Sequence, residues 1–225
     1  MGIRPVEKVD DNVKVERALI SVFDKKGLND FAEGLVNVNP GLMIYSTGGT
    51  FTQLKEFLGS TNLTPVSEYT GMPETEGGLV KTLHHKLYLG LLTETHNESH
   101  QQDLQRENAL PIDLVVCNLY PFSSVTGREN VTFEEARMNI DIGGPTMIRA
   151  AAKNFHRVGV VVSPEDYVGV LQELHKNNGS LTLDTRFRLM GIAFNHTAEY
   201  DLGIDNFMAR LKPDFMRRSY QIGEN

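Results

Sequence analysis

Residues 139–154, which read NIDIGGPTMIRAAAKN, combine an acid, two glycine amides and a cation. Asp141 precedes Gly143 and Gly144, and a proline then opens an alanine-rich run that ends at Lys153. Proline suits the first turn of a helix, where its missing N–H would have no partner. The two glycine amides are therefore expected to lie free at a helix N-terminus. Such a terminus attracts negative charge, which predicts an anionic ligand or reacting group beside Asp141.

Three other segments have related chemistry. Residues 46–50 (STGGT) follow an apolar run and precede a helical pattern, so their amides and hydroxyls could hold a phosphate. Residues 77–84 (GGLVKTLH) add a glycine pair, a lysine and a threonine hydroxyl. Lys25 and Lys26 follow the first strand-like run. The four segments together predict a site for a phosphorylated molecule.

The charge distribution favours a small anion over a polymer. The chain has 225 residues and a formal net charge of −7, and an acidic protein is a poor partner for nucleic acid or an anionic membrane. Yet cations cluster in or beside the glycine segments: Lys25, Lys26, Lys81, Lys86, Arg149 and Lys153. This pattern predicts a small phosphorylated ligand and no nucleic acid or membrane partner.

The cysteine content indicates a reducing compartment. Cys117 is the single cysteine and lies in the strand-like run 113–120, so a buried core thiol is favoured over a nucleophile. No apolar stretch approaches the ~18 residues of a membrane span, and residues 1–13 are too polar for a signal peptide. The expected location is the cytoplasm.

Strand-like and helix-like segments alternate along the chain. Strands are expected at 17–23, 42–46, 63–66, 113–119 and 157–162, and helices at 27–38, 50–58, 98–108, from 132, from 145, after Ser163, and from 183 to about 211. Alternation of this kind predicts a three-layer α/β/α sandwich with a mainly parallel central sheet. Ligands bind such sheets at the carboxyl ends of the strands, so the loops at Lys25, 47–50 and Tyr120 are expected to converge. One domain over residues 1–225 is expected, with a core at about 15–208 and tails at 1–13 and 212–225.

Together these motifs closely resemble the IMP cyclohydrolase domain of the bifunctional purine biosynthesis protein. The resemblance rests on the order and spacing of STGGT at 46–50, VKTLH at 80–84, NLYPF at 118–122, and the segments 139–146 and 150–154. It implies a methylglyoxal synthase-like fold, a homodimer and no metal or organic cofactor. It also implies closure of 5-formamidoimidazole-4-carboxamide ribotide to inosine monophosphate with loss of water. In that family a larger formyltransferase domain usually follows, so either a stand-alone enzyme or a shortened chain is expected.

The resemblance also assigns roles to residues. The catalytic positions correspond to Lys81, Tyr120, Asp141 and Lys153. The substrate-binding positions correspond to Lys25, Lys26, Thr47, Gly48, Gly49, Thr50, Thr82, Cys117, Asn118, Ile142, Gly143 and Gly144. The chain departs from the family pattern at Phe23, Lys26, Leu79 and His85. The family arginine at position 79 would contact the anionic end of the substrate, and Lys26 is expected to replace its charge.

Each residue taken alone has a simpler interpretation. The glycines at 47–50 could serve an ordinary turn, Lys81 and Lys153 could be solvated surface lysines, and Asp141 could only cap a helix. His96 and His100 have no evident third metal ligand, so a surface helix is favoured there. Two other functions stay open at this stage. They are a methylglyoxal synthase-type lyase acting on a triose phosphate, and a non-catalytic nucleotide-sensing module.

Overall fold

Five parallel strands form the centre of the protein, for which a computed structural model describes residues 5–73 and 81–223. In spatial order the strands are β4 (Leu63–Pro65), β3 (Met43–Ser46), β2 (Arg17–Ile20), β5 (Leu114–Val116) and β6 (Gly159–Val161). All three residues of β5 and of β6 are buried, as expected for a sheet that is covered on both faces. The carboxyl ends of all five strands therefore share one edge.

Helices cover both faces of this sheet. One face packs against α1 (Leu28–Val38), α2 (Gly48–Leu58) and α9 (Tyr167–Lys176). The other packs against α3 (Val66–Thr70), α4 (His85–Leu92), α6 (Phe122–Thr126), α7 (Phe133–Met138), α8 (Gly143–Lys153) and α10 (Leu183–Met208). Along β2, Leu19 faces the second layer while Ala18 and Ile20 face the first, which is the alternation of a strand. The predicted three-layer α/β/α sandwich is confirmed.

The remaining elements lie outside these layers. They are α5 (Glu98–Arg106), α11 (Pro213–Arg217), a 3₁₀ helix (Pro164–Asp166) just before α9, and an antiparallel pair of β1 (Asn12–Lys14) with β7 (Ser180–Thr182). Strand β1 includes two residues assigned to the N-terminal tail by sequence, because its polar composition gave no strand pattern. In the described part of the chain, no helix is both long and apolar enough to cross a membrane.

Two helices begin earlier than the sequence predicts, and both do so at glycine pairs. Helix α2 begins at Gly48 rather than at residue 50, and α8 begins at Gly143 rather than at Pro145. Gly48 has a φ of +49°, a value that side chains disfavour, so the preference of glycine decides where α2 starts. The proline of α8 is its third residue, where a missing N–H is still harmless because the first turn has no intrahelical acceptor.

Candidate active site

A cleft of about 400 Å³ opens at the carboxyl edge of the sheet. The residues that line it come from the ends of β2, β3 and β5, from the segment before α4, and from the start of α8. They are Ser21, Val22, Phe23, Thr47, Lys81, Thr82, Leu83, Cys117, Asn118, Tyr120, Met138, Ile140, Asp141, Ile142, Gly143, Gly144 and Met147. The structure thus brings Lys81, Tyr120 and Asp141 into one cleft.

One side of the cleft is suited to a phosphate. The hydroxyls of Ser21 and Thr47 lie 3.0 Å apart at the ends of two adjacent strands. Thr47 also precedes α2, whose first amides have no intrahelical acceptor and carry the positive end of the helix dipole. A Cβ on Gly48 would lie 3.2 Å from Lys81 Nζ, so the ammonium group rests against this helix start. Hydroxyls, amides and a cation together form a site for an anion.

The opposite side of the cleft is built around Asp141. Its Oδ1 accepts a hydrogen bond from the Gly144 amide at 2.9 Å, so one of the two amides that were expected to be free is occupied. The Gly143 amide, at the first position of α8, has no intrahelical acceptor. A Cβ on Gly143 would lie 2.5 Å from Thr82 Oγ1, so glycine is needed for the Thr82 hydroxyl to approach α8. Asp141, one residue before the N-cap Ile142, therefore caps a first-turn amide of α8 and also lines the cleft.

Tyr120 is positioned by contacts with the loop after β2. Its ring packs edge-to-face against Phe23 with the centroids 4.4 Å apart. The Asn118 side chain holds that loop through three hydrogen bonds. Its Oδ1 accepts a hydrogen bond from the Phe23 amide at 2.7 Å and another from the Asp24 amide at 2.8 Å. Its Nδ2 donates a hydrogen bond to the Asp24 carbonyl at 3.0 Å. Although Asn118 lines the cleft, its amide is engaged with the loop, so it fixes Phe23 and Tyr120 relative to each other.

Cys117 borders the cleft as a buried thiol. Burial raises the pKa of Cys117 well above its ordinary value, and the nearby charge of Asp141 raises it further. The thiol consequently stays protonated at neutral pH and is a poor nucleophile. This agrees with the core role that the sequence favoured.

Several residues that the resemblance assigned to the site do not line the cleft. The Thr50 hydroxyl is buried, accepts from the Val22 amide at 3.1 Å and donates to the Val22 carbonyl at 3.0 Å, so it holds α2 to β2. Lys25 Nζ donates to the Phe23 carbonyl at 3.3 Å, and Lys26 is exposed. Gly48 and Gly49 lie behind Thr47 at the start of α2.

Lys153 is the clearest departure from expectation. It is the last residue of the eleven-residue helix α8, whereas Asp141 lies just before the first. A rise of about 1.5 Å per residue separates the two ends of α8 by about 15 Å. Lys153 is exposed there and does not line the cleft of its own chain, so its assignment to the catalytic group stays a prediction.

Sequence reasoning overlooked Ser21, which follows a buried strand in the same way as Thr47 and could have been found by that rule. The sequence marks Phe23 only as a departure from the family pattern, whereas the structure places it in the cleft beside Tyr120. Leu79, together with the glycine pair at 77–78, lies outside the described residues. His96 lies ahead of α5 rather than on it, with its Nε2 2.9 Å from Asp10 Oδ1.

Comparisons with known proteins agree with this fold. Residues 27–146 match the family model described as an MGS-like domain, and residues 151–224 match the model described as the AICARFT/IMPCHase bienzyme. The crystal structure of ForH superimposes with a TM-score of 0.72 at 29% identity, over 85% of this chain and 98% of ForH.

The chain is also similar to two bacterial proteins named bifunctional purine biosynthesis protein PurH. The protein from Thermoanaerobacter sp. (strain X514) is 47% identical over 214 residues, which cover 93% of this chain and 41% of the relative. The protein from Acidithiobacillus ferrooxidans (strain ATCC 53993 / BNL-5-31) is 44% identical over 207 residues, with coverages of 92% and 39%. The chain spans about two fifths of the length of these relatives. It belongs to the MGS-like domain family and is homologous to part of the bifunctional purine biosynthesis proteins.

Proposed function

We propose that this chain is an IMP cyclohydrolase, which closes 5-formamidoimidazole-4-carboxamide ribotide to inosine monophosphate in the last step of de novo purine biosynthesis. Its similarity to PurH and to the AICARFT/IMPCHase model supports this proposal. The observation that carries it is the convergence of Lys81, Tyr120 and Asp141 in one cleft, in which Lys81 lies beside a phosphate-type site at the start of α2 and Asp141 lies on the opposite side.

The reaction needs little more than orientation and charge stabilisation. The carboxamide nitrogen attacks the formyl carbon of the same molecule, so a new C–N bond forms within a substrate that already holds both groups. The formyl oxygen becomes an alkoxide and leaves as water, because its C–O bond breaks as a C=N bond forms. The two protons of that water come from the carboxamide nitrogen and the formamido nitrogen. The difficult parts are the weak nucleophilicity of an amide nitrogen and the charge on that oxygen.

The cleft offers groups for both parts. Anchoring of the substrate phosphate at Ser21 and Thr47 would present the base to the far side of the cleft. A cation near the carboxamide oxygen favours the imidate form of the amide, and Lys81 would take this role by swinging its flexible side chain from the start of α2 towards the base. The start of α8 stabilises the developing alkoxide. Tyr120 and Asp141 are then the groups that transfer protons.

The decisive experiment adds the formylated ribotide to purified protein and follows the appearance of the purine chromophore, with Asp141→Asn as a matched variant. We expect turnover by the wild type and a loss of about 10²–10⁴-fold in the variant. A parallel assay with dihydroxyacetone phosphate tests the methylglyoxal synthase alternative. Binding of IMP without turnover of either substrate would instead support the sensing module.

Further properties belong to the same proposal. We propose a single domain with its core at about 15–208, a cytoplasmic location, a homodimer, and a purine nucleotide as ligand, with no nucleic acid or membrane partner. The net charge of −7 and the single buried cysteine support the expected ligand class and compartment. Exposed apolar side chains on α10, including Phe187 and Leu202, offer a surface for a second copy.

A further inference from the structure

The backbone of Asp141 is held by a tyrosine that lies outside the cleft. The Asp141 amide donates to the Tyr200 hydroxyl at 2.7 Å, and that hydroxyl donates to the Asn139 carbonyl at 3.4 Å. Tyr200 lies on α10, 59 residues further along the chain, and is not among the cleft residues. One hydroxyl thus braces both ends of the turn from Asn139 to Asp141.

The anchor itself is rigid. Tyr200 is 9% exposed and packs in the apolar core between the sheet and helices α8 and α10. Burial raises the pKa of Tyr200 above its ordinary value, so the hydroxyl keeps its proton at neutral pH and can both donate and accept. Packing fixes the position of the Tyr200 ring and hydroxyl. The hydrogen bonds of that hydroxyl therefore fix the position of the turn.

At its other end Asp141 is fixed through its side chain. The bond from the Gly144 amide to Oδ1 ties the carboxylate to the start of α8. The backbone amide of Asp141 is bound to the Tyr200 hydroxyl, and its carboxylate is bound to the Gly144 amide. These two hydrogen bonds fix both the position of the Asp141 backbone and the direction of its side chain. The amides of Asn139 and Ile140 donate to carbonyls of α7, whereas the Asp141 amide donates to the Tyr200 hydroxyl. Loss of that hydroxyl would therefore release the end of the turn that carries the carboxylate.

We infer that Tyr200 is a positioning residue, whose hydroxyl fixes the Asp141 turn and so sets the placement of the Asp141 carboxylate in the cleft. This inference rests on the proposed IMP cyclohydrolase function, in which Asp141 touches the reacting groups. Tyr200 acts through Asp141 and does not contact the substrate. Small misplacements of a catalytic group lower turnover more than they weaken binding.

The primary variant is Tyr200→Phe, which keeps the ring and removes the hydroxyl. We expect kcat to fall about tenfold, comparable to the loss of one buried hydrogen bond, while KM changes by less than about twofold. The matched control is Tyr167→Phe. The Tyr167 hydroxyl is also buried, but it has no hydrogen-bond partner among the described residues, and it is not a cleft residue. Kinetics of the Tyr167→Phe protein are expected to equal those of the wild type.

A double-mutant cycle separates positioning from a general structural effect. If Tyr200 acts through Asp141, Tyr200→Phe has no further effect on the residual rate of the Asp141→Asn protein. Amide hydrogen exchange at Asp141, measured in the unliganded protein, gives a readout independent of turnover. Exchange at Asp141 should accelerate in Tyr200→Phe and stay unchanged in Tyr167→Phe.

The outcomes distinguish the two proposals. A wild-type protein that forms no IMP overturns the proposed function and the catalytic consequence of Tyr200, whatever the exchange data show. An active wild type with unchanged kcat in Tyr200→Phe overturns the positioning role alone. Equal fold losses in the wild-type and Asp141→Asn backgrounds also overturn it, because they would mean that Tyr200 acts independently of Asp141.

Discussion

At the scale of single residues, Asp141 combines two roles that are usually considered as alternatives. Its carboxylate caps α8 through the Gly144 amide, and the residue also lines the cleft. A cap needs only a side-chain oxygen, whereas proton transfer needs a carboxyl group. The two roles therefore respond differently to two substitutions at one position.

We expect Asp141→Asn to keep the cap and lose the chemistry, while Asp141→Ala loses both. Asparagine is a good helix cap, so its melting temperature should stay close to that of the wild type. Alanine should lower the free energy of unfolding by about 0.5–2 kcal/mol. Both variants should lose activity by about 10²–10⁴-fold. Thermal melts and steady-state kinetics on the two proteins provide the check, and full activity in Asp141→Asn would reduce Asp141 to a cap.

At the scale of elements, the cleft depends on two eleven-residue helices that begin at its edge, α2 and α8. The start of each contains two glycines, but the glycines differ in function. Gly48 has a positive φ and lies against Lys81, whereas Gly49 has open space where a Cβ would be. Position 48 therefore requires glycine and position 49 does not.

Gly48→Ala is expected to be harmful and Gly49→Ala harmless to the fold. Alanine at position 48 would carry a strained backbone, at a cost of about 1–2 kcal/mol, and would press on the Lys81 ammonium group. The expected result is a lower melting temperature together with a raised KM for the nucleotide. Gly49→Ala should melt at or slightly above the wild-type temperature. Equal melting temperatures for the two variants would contradict the strain assigned to Gly48.

Helix α4 begins directly after the Lys81 and Thr82 segment, and its cap is a histidine. His84 Nδ1 accepts a hydrogen bond from the Lys86 amide at 3.2 Å, which requires that nitrogen to be unprotonated. Burial lowers the pKa of His84 below its ordinary value of 6.5, and the charge of Lys86 lowers it further. The unfolded chain therefore takes up a proton more readily, so the stability that His84 contributes is present above about pH 6.5 and is lost as the pH falls below it.

His84→Asn should retain the cap and remove this pH dependence. We expect the wild type to lose more thermal stability than the variant between about pH 7.5 and about pH 5.5. His196, whose pKa burial also lowers, is present in both proteins, so the difference between them isolates His84. His175→Asn, at an exposed position on α9, is the control and should behave like the wild type. Parallel slopes for wild type and His84→Asn would show that the cap does not depend on protonation.

Much of this arrangement can be predicted from the sequence, and the limits of that prediction have physical causes. The apolar run before STGGT gives the correct end of β3, whereas the run before NLY predicts an end at residue 119 for a strand that ends at Val116. Buried parallel strands have strong local patterns, but the apolar residues that follow β5 continue the same pattern. The hydrogen bond between the Asp141 amide and the Tyr200 hydroxyl joins residues that are 59 positions apart. No local sequence pattern predicts such a contact. The β1–β7 pair was missed for the same reason, since three-residue polar strands are defined by their partner.

At the scale of the whole molecule, sheet order explains why the cleft forms but not how Lys153 could join it. Strands β3, β2 and β5 are adjacent, so Thr47, Ser21 and Cys117 meet at one edge. Lys153 lies about 15 Å away at the far end of α8, on the surface. If Lys153 takes part in the reaction, a second copy of the chain must bring it to the cleft of its partner.

The final prediction tests that arrangement by mixing two inactive proteins. In a symmetric dimer with shared sites, Asp141→Asn and Lys153→Met impair different halves of each site. Unfolding and refolding them together would then create one intact site in every mixed dimer. Random pairing should restore about a quarter of wild-type activity, although each variant alone is inactive. Sedimentation should show a dimer for each variant and for the mixture. Co-refolding of Asp141→Asn with Tyr120→Phe is the control and should restore no activity, because both residues line the same cleft. Full activity of Lys153→Met alone would exclude a catalytic role for the lysine, and a monomeric, fully active wild type would exclude the shared site.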